Sequence, residues 1–227
     1  MGPAFFDTWA ATYDETTRSR NFQARERVFG HAAKLALGRA GENPVCVDVG
    51  VGTGALTRSF AALGFHVVGC DSSAEMLKFA AANVPSAELR HADALDFLDS
   101  LPPSSADFVS SSSVLEYLAD PLAVVRLAAP VLRVGGIFAV SLPERLSLSR
   151  LLLSLVALRT PRERLCTSHW GSPLTGRELE EAAARESLRL VRRSRFGSFE
   201  YRRVRLPFEA HRPIATLCLY VFERVGS

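Results

Sequence analysis

Val45-Cys46-Val47-Asp48-Val49-Gly50-Val51-Gly52-Thr53-Gly54 is the stretch on which the fold turns. Its first five residues, rich in β-branched side chains, predict a short buried strand, and the three alternating glycines predict a tight turn into a helix. With no Cβ in the way, a ligand can lie against the main chain of such a turn and against the N-terminus of the helix behind it. The next apolar run, Phe65-His66-Val67-Val68-Gly69-Cys70, ends in Asp71. Strand, glycine turn, helix and a second strand closed by an acid form a βαβ unit suited to a nucleotide-like ligand.

Outward from this unit the pattern keeps alternating. Helices are expected at 54–63, 74–83, 94–100 and 121–132, between strands at 44–49, 66–70, 87–91, 107–111 and 136–141. Upstream, Ser19 is placed to cap a helix running to Arg39 and stopped by Gly41, so residues 1–42 read as an N-terminal helical cap. Strands and helices in this rhythm predict right-handed βαβ units and a mostly parallel sheet. Residues 142–173 interrupt it with the apolar stretch 151–158 and the run Thr167-Ser168-His169-Trp170-Gly171. An insert of that length in a compact domain predicts a lid or binding loop. A helix at 175–187, a strand at 188–195 and a last strand at 215–223 complete one domain spanning 1–227.

At 227 residues and 48% hydrophobic, the chain can bury a full core without a second domain. No apolar run approaches the roughly 20 residues of a bilayer span, and the N-terminus carries no basic leader, so a cytoplasmic protein without stable membrane insertion is expected. Cys46, Cys70, Cys166 and Cys218 contain no CxxC pair, which predicts reduced, buried thiols and no metal site. Residues 1–144 carry 11 basic and 16 acidic side chains, whereas residues 145–227 carry 16 basic and 8 acidic. An arginine-rich second part fits a solvated surface in an arginine-prone coding sequence, and leaves open an acidic substrate. Nothing in the sequence speaks to oligomeric state.

In a parallel sheet the ligand crevice lies at the carboxyl ends of the strands. Asp48, Asp71, Asp93 and the serines at 110–113, Ser111 and Ser112 among them, fall at or just beyond such ends. Asp48 before the glycines would repel a diphosphate and attract an ammonium and a sulfonium, which points to S-adenosylmethionine. Asp71, with Ser72 beside it, suits two ribose hydroxyls, because one carboxylate can accept both hydrogens. Asp93, followed by Ala94, can accept from the exocyclic amine of adenine while Met76 offers the ring an apolar face. Tyr13 either closes over the methionine portion or is a structural aromatic.

This order of motifs resembles the class I S-adenosylmethionine-dependent methyltransferases. The family's DxGxGxG loop is matched by Asp48, Gly50, Gly52 and Gly54, its ribose-binding acid by Asp71 and its adenine-binding acid by Asp93. Val114-Leu115-Glu116-Tyr117-Leu118-Ala119-Asp120-Pro121 resembles the segment after the family's fourth strand, and Leu132-Arg133-Val134-Gly135-Gly136 the one before its fifth. Phe6-Asp7-Thr8-Trp9 through Tyr13-Asp14 is similar to the opening of the small-molecule, ubiquinone-biosynthesis type. The resemblance implies a Rossmann-like, doubly wound, mostly parallel seven-stranded sheet with its last strand antiparallel. It implies methyl transfer to an O or N atom of a small apolar or aromatic metabolite.

Two departures sharpen the reading. Tyr117 stands where many relatives have His, and the serines at 110–113 replace the Asn/Asp-Pro-Pro-aromatic motif of nucleic-acid and amide-directed relatives. No nucleic-acid partner is expected. His169, at the end of the insert where relatives place a substrate-facing His, is the candidate general base, with Tyr117 and Glu116 as the other catalytic candidates. Each has a plainer alternative: a surface histidine, a pocket wall, a helix-packing segment. Gly50, Gly52 and Ala55 also fit the dinucleotide fingerprint GxGxxA, which keeps open an NAD(P)-dependent oxidoreductase. Against it stand Asp48, Asp93 and the absence of a Tyr-x-x-x-Lys pair, Lys34 and Lys78 being the only lysines. A non-catalytic cofactor-binding protein on the same fold is the third class.

Overall fold

The computed structural model describes residues 6–8, 10, 13, 17, 19–144, 174–197, 200–201, 204–205 and 215–226. Helix α1 spans Arg20–Leu37, and the Ser19 hydroxyl accepts from the Phe22 amide at 3.2 Å, one of the helix-start donors that otherwise lack a partner. The helix ends at Gly38, three residues before Gly41, where the Gly38 amide turns back to the Lys34 carbonyl. Its buried face is Ala24, Phe29, Ala32, Ala33 and Ala36, near-helical spacing that lays one stripe on the sheet.

Strand β1 (Val45–Val49) leads into α2 (Ala55–Ala62), β2 (His66–Asp71), α3 (Ala74–Asn83), β3 (Glu88–His91) and α4 (Ala94–Asp99). Strand β4 (Ala106–Ser111), a 3-10 turn (Leu115–Tyr117), α5 (Ala123–Val131) and β5 (Leu132–Pro143) follow. Helix α6 (Gly176–Arg185), β6 (Leu188–Phe196), the ribbon β7 (Glu200–Tyr201) with β8 (Val204–Arg205), and β9 (Leu217–Arg224) finish the chain. The seven-stranded sheet runs β3-β2-β1-β4-β5-β9-β6. Strands β1 to β5 are parallel, and β9 lies antiparallel between β5 and β6. Strand order reverses between β1 and β4, so the carboxyl ends of β2, β1 and β4 converge on one crevice.

Both faces of the sheet are covered. On one, Phe29 of α1 and Phe60 of α2 pack with Phe65, Phe108, Ile137 and Phe196, Phe60 meeting Phe108 edge to face at 5.2 Å. On the other, Phe97 and Leu98 of α4, Val124 of α5 and Leu179 of α6 pack with Val47, Phe138 and Phe222 of the sheet. Strands buried on both faces read as continuous apolar runs, which is why β1 shows no alternation in sequence. Cys46, Cys70 and Cys218 are buried free thiols on β1, β2 and β9.

Both ends of β5 differ from expectation. Strand β5 starts at Leu132 instead of Gly136, because Leu132 already pairs with Ala106 ahead of a register shift that Gly135 accommodates at φ +84°. It also runs on to Pro143, taking two residues assigned to the insert. The remainder of the expected lid, 145–173, with Cys166, His169 and Trp170, lies outside the described residues. Among the described residues no helix is long and apolar enough to cross a membrane.

Candidate active site

The glycine turn is built by hydrogen bonds to the neighbouring strand. The amides of Gly50 and Val51 both donate to the Cys70 carbonyl at 2.9 Å, folding the chain over the end of β2. Gly50 (φ +76°) and Gly52 (φ +55°) sit in the left-handed region, and a Cβ on Gly50 would overlap the side chain of Val114. The Gly52 amide donates to Asp71 Oδ2 at 2.8 Å, and the Ser73 amide to Asp71 Oδ1 at 2.9 Å. One carboxylate therefore ties the turn to the start of α3, and its remaining lone pairs can accept two more hydrogens. Burial pushes the Asp71 carboxyl above its usual range, while the bonds from the Ser73 and Gly52 amides pull it back.

Around this turn opens a cleft lined by residues from the glycine turn, α3, α4 and the turn after β4. Gly50, Gly52, Asp71 and Ser72 form one wall, and Met76, Asp93 and Ala94 a second. Phe6, Tyr13, Ser112, Ser113, Val114 and Tyr117 close the third. Asp93 caps α4, one of its oxygens accepting from the Leu95 amide at 2.8 Å, and stands exposed at the mouth. Tyr117 meets Phe6 edge to face, ring centroids 5.1 Å apart.

Asp48 lies beside this cleft, in a small adjoining pocket shared with Tyr13, Arg25, Gly52 and Ser112. It is buried, and its Oδ2 accepts from the Thr57 hydroxyl at 2.7 Å. Burial pushes its carboxyl up to about 6, with the Thr57 hydroxyl bond opposing and the Asp71 charge adding to the rise. A folded value above the unfolded carboxylate range means the folded chain holds the proton more tightly, so stability falls as pH rises from about 4 to about 6 and then levels. Asp48→Asn should flatten that slope, removing a pH-dependent loss of roughly 3 kcal/mol between its two ends. Urea unfolding of both chains between pH 4 and 8 measures it; parallel curves would show that the Asp48 carboxyl is ordinary.

Arg25 was not singled out by sequence reading. From α1 it donates to the Ser113 hydroxyl at 3.1 Å, and the Ser113 amide donates to Ser141 Oγ at 2.9 Å. Ser113 is thereby held at φ +57° from both the helix and β5. The pairing joins residues 88 apart in sequence, so the only local signal was an arginine one turn into a capped helix.

The other expected residues are placed as follows. Gly54 is not a cleft residue; it packs on Ala80 of α3, where a Cβ would come within 3.0 Å of the Ala80 Cα. Ser111 is fully buried at the end of β4, its hydroxyl without a hydrogen-bond partner, and does not line the cleft. Glu116 lies on the 3-10 turn beside Tyr117 and does not line it either. His169 lies outside the described residues.

A doubly wound sheet with an antiparallel strand inserted next to β5, and a glycine turn followed by acids at the ends of successive strands, make up a Rossmann-like fold of the methyltransferase type. Residues 47–140 match the methyltransferase domain family, and the sheet has the Rossmann-like methyltransferase fold. An uncharacterized methyltransferase of Bacillus licheniformis is 35% identical over 124 residues, 52% of this chain and 56% of that one. A ubiquinone biosynthesis O-methyltransferase of Xanthomonas campestris is 32% identical over 117 residues, 50% of this chain and 47% of that one. The match thus spans about half the length of these relatives. A crystal structure of a SAM-dependent methyltransferase of Thermotoga maritima, described as a possible histamine N-methyltransferase, shares the fold at TM-score 0.65 and 15% identity, covering 97% of this chain and 98% of that one.

Proposed function

We propose that the chain binds S-adenosylmethionine and transfers its methyl group to an O or N atom of a small, apolar or aromatic metabolite. The observation that carries this reading is the pairing of two unlike pockets on one glycine turn. The larger holds Asp71, Met76 and Asp93, suited to ribose and adenine; the smaller holds Asp48 and Arg25, opposite charges suited to the ammonium and carboxylate of an amino acid. A dinucleotide offers no amino-acid end. The sheet order also departs from the parallel 3-2-1-4-5-6 of the dinucleotide-binding fold, because β9 enters antiparallel beside β5.

The cofactor supplies a methyl group already activated by its sulfonium. The chain's part is to hold the acceptor in line with it and exclude water, which Phe6, Tyr13 and Tyr117 assist by walling the cleft with aromatic surface. For a phenol, acid or hydroxyl, His169 is the residue proposed to remove the proton.

Asp71→Ala should weaken S-adenosylhomocysteine binding about 100-fold or more, since two ribose hydroxyls lose a charged acceptor worth roughly 1.5 to 3 kcal/mol per bond. It also releases the Gly52 and Ser73 amides. Calorimetric titration reads the change; unchanged affinity would remove Asp71 from the site. The activity itself is tested by following labelled methyl transfer from S-adenosylmethionine to a panel of phenols, carboxylic acids and amines. Turnover of one class identifies the acceptor, and none across the panel would favour a cofactor-binding protein without catalysis.

A further inference from the structure

We propose that Asp7 is a positioning residue, latching the N-terminal segment onto α3 so that Phe6 and Tyr13 are held in the cleft wall. Asp7 Oδ1 accepts from the Ser73 hydroxyl at 2.5 Å and from the Glu75 amide at 3.4 Å. Ser73 is fully buried, and the same hydroxyl accepts from the Met76 amide at 3.1 Å. The opening turn of α3 thus has its orphan amides satisfied by Ser73 and by a carboxylate reaching across from residue 7. A negative charge is favoured there by the helix dipole.

The consequence lies in what the segment carries. Phe6 sits edge to face on Tyr117 from the turn after β4, and Tyr13 sits against the glycine turn, where a Cβ on Gly52 would lie 3.5 Å from its ring. The same segment therefore touches three walls of the cleft, and the bond to Ser73 is its charged anchor. Without the carboxylate, both rings stay tethered by chain but lose their fixed register over the ligand. The helix that Asp7 grips also supplies Met76 to the cleft, so one contact orders two of its sides.

The proposal rests on the cofactor reading for its effect on affinity, and on geometry alone for the latch. Amide hydrogen exchange of the ligand-free chain should be faster at residues 6–13 in Asp7→Ala than in wild type, with the core of the sheet unchanged. Calorimetric titration should show S-adenosylhomocysteine affinity falling about tenfold in Asp7→Ala, and less in Asp7→Asn, which keeps an acceptor oxygen. Equal exchange in wild type and Asp7→Ala would overturn the latch. Faster exchange with unchanged affinity, or acceleration spread evenly over the sheet, would overturn the positioning role. A wild-type chain that fails to bind S-adenosylhomocysteine would overturn the cofactor reading instead, visibly and before any variant is made, and the exchange comparison would still decide the latch.

Discussion

Gly52→Val should abolish S-adenosylhomocysteine binding, by about 1,000-fold or more, while the chain stays folded. Gly52 lies at φ +55°, where a β-branched residue is strongly disfavoured, and its missing Cβ faces the cleft beside Tyr13. Valine would set two methyl groups in the ligand's place. It would also disturb the amide that Asp71 holds. Gly50 would be a poorer choice, because its Cβ would collide with Val114 and the fold itself would have to yield. Circular dichroism reports folding and calorimetry reports affinity. A folded Gly52→Val chain that binds normally would contradict the turn as a binding surface, and Gly52→Ala serves should the valine variant misfold.

His169→Ala should leave cofactor affinity near that of wild type and lower turnover by roughly 100-fold or more, the usual scale for a lost general base. Strand β5 runs parallel to β4 and ends at Pro143, on the same sheet edge as Ser111 and the cleft, so the segment bearing His169 departs from that edge. No histidine stands at position 117 to do the work, the residue there being Tyr117. The loss should shrink as pH rises toward the acceptor's own pKa, because an ionised nucleophile needs no base. A loss independent of pH would mean that His169 orients the acceptor. Full turnover at neutral pH would move the search to Tyr117 and Glu116.

Most of the fold was legible because its signals are local. The cap at Ser19 and the strand-turn-helix at 45–54 each declare themselves within a few residues. The start of β5 was not, because Leu132 becomes a strand residue only by pairing with Ala106 across a register shift. The site divides in the same way. Asp71 and Asp93 were readable from their places at strand ends, whereas the Gly54 pattern match concealed a packing contact with Ala80. Arg25 on Ser113 and Asp7 on Ser73 join residues 88 and 66 positions apart, and no periodicity or motif carries that information. Only the fold brings those partners together.

The most direct test of the central claim is calorimetric titration of the wild-type chain with S-adenosylhomocysteine and, separately, with NAD. The two pockets on the glycine turn predict saturable one-to-one binding of S-adenosylhomocysteine, lost in Gly52→Val, and no binding of NAD under the same conditions. Binding of NAD without S-adenosylhomocysteine would contradict the account and return the chain to the oxidoreductases.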